Sequence, residues 1–300
     1  MTISTWQQAL PHGITLSCRS AGERGRPVLM FLHGFPEAAF IWDELLEHFA
    51  RPENGGYRCI APNLRGYEQS SQPAEVAAYR PKQLVQDLVA LADSEGGTLE
   101  CLVAHDWGGA VAWNFANQFP QRLRKLAIIN SPHPGTFLRA LQASEKQRDA
   151  SAYMNFLIRP DAEQLLREND YRRLLGFFTH WGEAPWLTEG VKAKYRAVWD
   201  ASLTGGLNYY RASPLRPARE GDAAASAVTL PREMLTISVP TLVLWGMQDT
   251  ALLPELVEGL EEYIPQLTLE KVADASHWIV HEKPQFVIEQ LAAFLRRHAQ

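Results

Sequence analysis

Long apolar runs, paired cysteines and an excess of positive charge are all missing from this chain of 300 residues. No apolar stretch approaches the roughly 20 residues that span a bilayer. The N-terminus, MTISTWQQALPHG, lacks both a basic start and the apolar core of a secretory signal. The expectation is a cytoplasmic protein without membrane contact. Lys and Arg total 29 against 34 Asp and Glu, a formal charge of -5, so nothing in the charge balance attracts nucleic acid or an anionic membrane. The cysteines, Cys18, Cys59 and Cys101, are odd in number, widely spaced and set in strand-like text. That pattern reads as buried thiols rather than a disulfide framework. No spacing of Cys and His suggests zinc, and no metal or organic cofactor is implied. A neutral small molecule fits as partner, with monomer and homodimer both open.

What is present is ordinary globular material, 46% hydrophobic and 21% charged, enough to bury a sizeable core. Strand-like runs alternate with helical text: ITLSCRS, PVLMFL, YRCIAP, TLECLVAH and LRKLAIIN, then VPTLVLWG and LTLEKV. Continuous apolar runs such as VLMFL and LVLW mark strands covered on both faces, as in a mostly parallel sheet flanked by helices. Leu84, Leu88 and Leu91 recur at helical spacing behind Pro81, a good first helical residue. LPELVEGLEEYI is expected to be helical, and the last helix shows Val287, Leu291, Phe294 and Leu295 on one face. From Leu138 to Glu220 no strand is convincing, while Leu165, Leu166, Leu174, Leu175, Phe177 and Phe178 sit in helix-like text. The expected architecture is α/β: a sheet domain of residues 1–137 and 221–300, interrupted by an all-helical cap at 138–220, with REGDAAASAV as the return linker.

The chemistry starts at VAHDWGGAVAW. Asp106 lies between an apolar strand and a helix start, with Ala104, Gly108 and Gly109 as the small neighbours a sharp turn needs. Helix N-H groups there favour negative charge. HGFP follows another strand, so the backbone N-H groups of Phe35 and Trp107 can form an oxyanion hole. Asp249 lies just beyond the strand of VLWGMQDT and His277 beyond that of VADASHWIV. Nucleophile, acid, histidine is the chain order of an α/β-hydrolase triad.

At these residues the chain resembles the α/β-hydrolase superfamily, and within it the soluble epoxide hydrolases. HGFPE, APNLRGY, HDWGG, NSPHP, WGMQD and SHW occur in consistent order over nearly the whole chain. The resemblance implies the α/β-hydrolase fold with an inserted cap, Asp106 as nucleophile, His277 as base and Asp249 as its orienting acid. It also implies two cap tyrosines over the nucleophile. Tyr210, before Arg in GLNYYRA, matches one, and Tyr153, with Pro160 and Glu163 following, matches the other. Their phenols would protonate an epoxide oxygen, giving a vicinal diol from epoxide and water. Tyr209 is expected to pack, since helix neighbours point apart.

An aspartate nucleophile has its own chemical reason. A serine attacking saturated carbon would leave an ether, which resists water, whereas a carboxylate leaves an ester that a second step can cleave. Carboxylates are ionised at neutral pH without a base, so the histidine is free to activate water. Epoxides and alkyl halides are therefore the candidate substrates. A haloalkane or haloacid dehalogenase is the alternative, weakened by Phe35 where haloalkane dehalogenases often have Asn and by Trp107 where fluoroacetate dehalogenases have Arg. A non-catalytic ligand-binding protein of the same fold is the remaining one. His133 and Trp107 are expected to line the pocket with Phe35, whereas His33 is structural, His105 points away and His281 lies off the site. Asn63 and Glu68 replace the Asp and a later Gly of the PDxRGxGxS pattern, and Met154 replaces a residue that is polar in some relatives.

Overall fold

A computed structural model of the chain describes residues 2–180, 183–219 and 227–297. Among these residues the centre is an eight-stranded sheet in the order β1-β2-β4-β3-β5-β6-β7-β8. The strands are β1 (Ser4–Ala9), β2 (Thr15–Ala21), β3 (Val28–Leu32), β4 (Arg58–Pro62), β5 (Cys101–His105), β6 (Leu126–Ile129), β7 (Thr241–Gly246) and β8 (Leu267–Val272). β2 runs antiparallel to β1 and β4, and every pair from β4 to β8 is parallel. All residues of β3 to β7 are buried, because helices cover both faces of such strands. The edge strand β1 escapes the sequence reading: STWQQA is exposed or half-buried along its length, so no apolar run marks it. Cys18, Cys59 and Cys101 are buried free thiols on β2, β4 and β5.

The connecting helices are α1 (Asp43–Ala50), α2 (Pro81–Ser94) and α3 (Trp107–Gln118). Pro81 opens α2 as expected, and Leu84, Leu88 and Leu91 form its buried stripe. α10 (Ile279–Glu282) and α11 (Pro284–Arg297) close the chain, the latter burying Val287, Leu291, Phe294 and Leu295. LPELVEGLEEYI is not one helix. It makes two short 3-10 turns, Pro254–Val257 and Leu260–Glu262, because Gly259 between them takes a left-handed φ of 77°.

Between β6 and β7 the described residues form helices and no strand: α4 (Pro134–Ala143), α5 (Glu145–Ala150), α6 (Tyr153–Leu157), α7 (Ala162–Thr179), α8 (Glu189–Ala201) and α9 (Thr204–Ala212). α7 bends where Asn169, Asp170 and Tyr171 take left-handed dihedrals. The expected linker Arg219–Val228 lies mostly outside the described residues. Directional bonds fasten the inserted helices to the core. On α8, Trp199 Nε1 donates to Pro36 O at 2.7 Å and Tyr195 Oη to Glu37 Oε1 at 2.7 Å. On α9, Tyr209 Oη donates to Arg65 O at 3.0 Å, and Arg65 is gripped by Asp87 through bonds of 2.6 and 2.5 Å. Gly205 meets Gly66 so closely that a Cβ on Gly205 would lie 2.2 Å from Gly66 O.

The two departures in the loop after β4 explain each other. Glu68 occupies a left-handed position, φ 49°, and its Oε2 accepts from Ser17 Oγ at 2.5 Å and from Asn63 Nδ2. Asn63 Oδ1 accepts from Ala39 N at 2.8 Å. An aspartate at 63 would turn a second carboxylate on Glu68, so the amide converts a repulsion into a donor. No helix among the described residues is long and apolar enough to cross a membrane.

Candidate active site

The sheet delivers its ionisable groups on the segments that follow β5, β7 and β8. Asp106 is the turn between β5 and α3, with φ 51° and ψ -124°, a conformation that costs about 1–3 kcal/mol and survives only where neighbours enforce it. Here they do: Asp106 O accepts from Gly109 N at 2.9 Å, Ala110 N at 3.2 Å and Ser131 Oγ at 2.6 Å. The turn pushes the carboxylate towards the loop after β3. Phe35 N donates to Asp106 Oδ1 at 2.7 Å. Gly34 permits this approach, since a Cβ there would fall 2.3 Å from Oδ1. Trp107 is the first residue of α3, where a helix N-H has no intrahelical partner.

The second carboxylate oxygen, Asp106 Oδ2, faces His277 Nε2 at 3.6 Å. His277 Nδ1 meets Asp249 Oδ2 at 2.7 Å. Asp249 is fully buried yet well satisfied: Oδ1 accepts from Ala251 N at 2.9 Å and Leu252 N at 2.8 Å, and Oδ2 from Asn130 Nδ2 at 2.9 Å. Burial opposes its charge, but His277 and these donors outweigh burial and hold its pKa below the usual carboxylate range. For His277, burial likewise disfavours the cation, but Asp249 and Asp106 overcome it and push the pKa up to about 10. At neutral pH that shift favours an imidazolium between the two carboxylates.

Two lobes of one cavity, of about 120 and 490 Å³, share Asp106, Tyr153 and Tyr210 as walls. The phenol rings of α6 and α9 stand edge to face at 6.2 Å, and Tyr210 also contacts Phe35 at 5.3 Å and Trp107 at 5.0 Å. Burial raises both phenol pKa values further above neutrality, so both are O-H donors at physiological pH. The structure therefore gathers Asp106, Asp249, His277, Tyr153, Tyr210, Phe35 and Trp107 around one space. Among the described residues no group of three or more His, Cys, Asp or Glu is arranged to hold a metal ion.

His133 is a correction. It lines neither lobe: its ring is buried, stacked on Tyr263 at 4.7 Å, with Nε2 2.8 Å from Leu235 O and Nδ1 accepting from Gly135 N at 3.2 Å. Its neighbours Pro132 and Pro134 line the cavity instead, because His133 caps α4 and turns inward to do so. His33 is structural, accepting from Leu64 N at 3.1 Å.

Asn130 and Glu37, which sequence reasoning passed over, and His105, which it expected to point away, support the site from behind. Asn130, left-handed at φ 39°, bridges Asp249 and β7, where its Oδ1 accepts from Gly246 N at 2.8 Å. His105 Nε2 lies 2.9 Å from His277 O, and its Nδ1 is 3.2 Å from Glu37 Oε2. The same buried Glu37 pairs with His281 at 2.5 Å. Burial works against the Glu37 charge, but His281 and His105 prevail and hold its pKa well below the usual range. The only sequence signal was position: Glu37 closes HGFPE and Asn130 opens NSPHP.

With this geometry in view, comparison with known proteins decides the family. The profile of the α/β hydrolase fold family matches residues 27–284. The chain belongs to the α/β hydrolase fold family. This hydrolase is 34% identical over 288 residues to the AB hydrolase superfamily protein YfhM of Bacillus subtilis, covering 95% of this chain and 96% of that one. It is 31% identical to epoxide hydrolase 4 of Mus musculus, over 95% of this chain and 77% of the relative. A solved structure described as a novel epoxide hydrolase from metagenomes of hot environments superposes with a TM-score of 0.87 at 38% identity, covering 98% and 99% of the two chains.

Proposed function

We propose that this chain is an epoxide hydrolase acting on a small-molecule epoxide and water. The observation that carries the reading is the division of the Asp106 carboxylate: Oδ1 is fixed by the Phe35 N-H, whereas Oδ2 faces His277 and shares its cavity with two phenols. The relatives named as epoxide hydrolases support it.

In this reading Asp106 Oδ2 attacks an oxirane carbon. The C-O bond breaks, its electron pair stays on oxygen, and Tyr153 or Tyr210 supplies the proton, leaving an alkyl ester on Asp106. Ester formation removes one of the two anions that hold the His277 proton, so the imidazolium passes that proton through solvent in the shared lobe to the phenolate, which restores the phenol and leaves a neutral imidazole as base. It takes a proton from water, the hydroxide adds to the Asp106 carbonyl carbon, and the Phe35 and Trp107 N-H groups hold the oxyanion. Collapse of that adduct breaks the ester C-O bond, the departing alkoxide takes the adduct's hydroxyl proton through His277, and the diol leaves with one solvent oxygen kept in the Asp106 carboxylate. The core and cap division at 137/138 and 220/221 belongs to the same proposal, although α4 spans the first boundary.

A departing halide needs N-H donors but no proton, so paired phenols favour the epoxide over the haloalkane. Parallel assays of epoxides and haloalkanes for diol and free halide should give diol alone. A single turnover in ¹⁸O water should place label in the Asp106 peptide. Label found only in the released diol would exclude the ester.

A further inference from the structure

The two lobes differ in chemistry as well as size. The smaller, of about 120 Å³, is walled by Leu84, Val111, Phe137, Met154 and Leu215 beside the aromatic rings over Asp106. Since an apolar cavity of about 150 Å³ admits benzene, this lobe suits one phenyl ring or a short branched alkyl group and is too small for a long chain. The larger lobe, of about 490 Å³, contains His277 and offers hydrogen-bonding side chains from Gln248, Thr250, Ser276 and His180. Among the described residues neither lobe has a lysine or arginine in its lining, whereas Asp106, Asp249, Glu183 and Glu282 all line it. A substrate carboxylate would lose its hydration and meet these carboxylates, while the charge of His277 is already shared between Asp106 and Asp249.

Resting on the epoxide reading, we propose that the substrates are uncharged epoxides with two unlike arms. A compact apolar arm, about the size of one phenyl ring, fills the lobe beside α2 and α3. The second arm lies in the larger lobe of His277, where Phe177, Phe178 and Trp278 face it beside Gln248 and Thr250 and space remains for the hydrolytic water. Epoxides ending in a carboxylate are excluded by the carboxylates of the lining, and a long chain is kept out of the smaller lobe by its volume.

The test compares kcat/KM for styrene oxide, propylene oxide, 1,2-epoxydodecane and an epoxide of stearic acid, on the wild type and on two variants that narrow the apolar lobe from different elements. Leu215→Trp changes the loop after α9 and Ala110→Leu changes α3. The wild type should favour styrene oxide over the stearic acid epoxide by about ten-fold or more, and 1,2-epoxydodecane, which carries the chain without the charge, should be turned over faster than the stearic acid epoxide. Each variant should lower styrene oxide turnover by about ten-fold while propylene oxide, which reports intact fold and chemistry, stays within about two-fold. Turnover of the stearic acid epoxide equal to that of styrene oxide, or variants that spare styrene oxide, would overturn the assignment while leaving the epoxide reading in place. Absence of diol from all four probes would instead sink the epoxide reading, and the arm assignment with it.

Discussion

The sheet side and the helical side of the cavity are built by different means. On the sheet side, Asp106, Asp249 and His277 are charged, and each is fixed by short hydrogen bonds or ion pairs to backbone and neighbouring side chains. On the helical side, Tyr153 and Tyr210 are neutral and placed by ring contacts with one another, Phe35, Phe177 and Trp107. The physical reason is cost. A buried charge without directional partners forfeits several kcal/mol, whereas a ring is held by packing that tolerates small shifts. Rigid electrostatics on one side and adjustable shape on the other suit a reaction whose charge development is fixed while its substrate varies.

The largest expected effect tests the sheet side. His277→Gln should stall the reaction at the ester, with a loss of ~10³-fold or more in turnover and an adduct mass on the Asp106 peptide. An unmodified peptide after incubation with epoxide would move His277 to the first step. On the helical side, Tyr153→Phe combined with Tyr210→Phe should slow ring opening by ~10²–10⁴-fold, with circular dichroism unchanged. Full activity in that double variant would erase the chemical half of the contrast.

A smaller effect is expected at Asn130. Asn130→Ala removes a donor from a buried carboxylate and should cost about 1–3 kcal/mol of stability in urea unfolding, with kcat falling more than KM. The pH dependence follows from His277. Its folded pKa, about 10, lies above the ordinary 6.5, so protonation stabilises the fold fully below pH 6.5 and that contribution disappears as pH rises through about 10. NMR titration should find the imidazolium persisting well above neutrality, and Asp106→Asn should lower that pKa by removing one of its two anions. An unmoved titration would mean that Asp249 alone holds the proton. The smallest effect lies outside the cavity: Asn63→Asp should destabilise by about 1–2 kcal/mol, and Glu68→Gly in the same chain should restore most of it. Equal losses with and without Glu68 would dissolve the pair.

The buried strands were legible because a strand covered on both faces must be apolar throughout, as VLMFL is. β1 was not, since an edge strand can be polar, and LPELVEGLEEYI misled because its periodicity hides the left-handed turn at Gly259. For the site, the residues on sharp turns after strands could be read from small neighbours and chain order. His133 could not: its motif places it near the cavity, but whether a ring faces in or out depends on the cap it forms for α4. Asn130 and Glu37 carry no local signal beyond their place in a motif, because an Asn or Glu gains its role only from a partner more than a hundred residues away, Asp249 or Tyr195.

By itself, then, the sequence settled the alternation of strands and helices, the carboxylate at the strand-to-helix turn and the order of the three ionisable residues, since local sterics and period govern each. Only the tertiary structure decided which oxygen of Asp106 is held and which is free, how strongly His277 keeps its proton, and that the cavity divides into a small apolar lobe and a larger mixed one. Those properties are set by distances between segments remote in the chain, and burial and Coulomb interactions depend on such distances rather than on residue order.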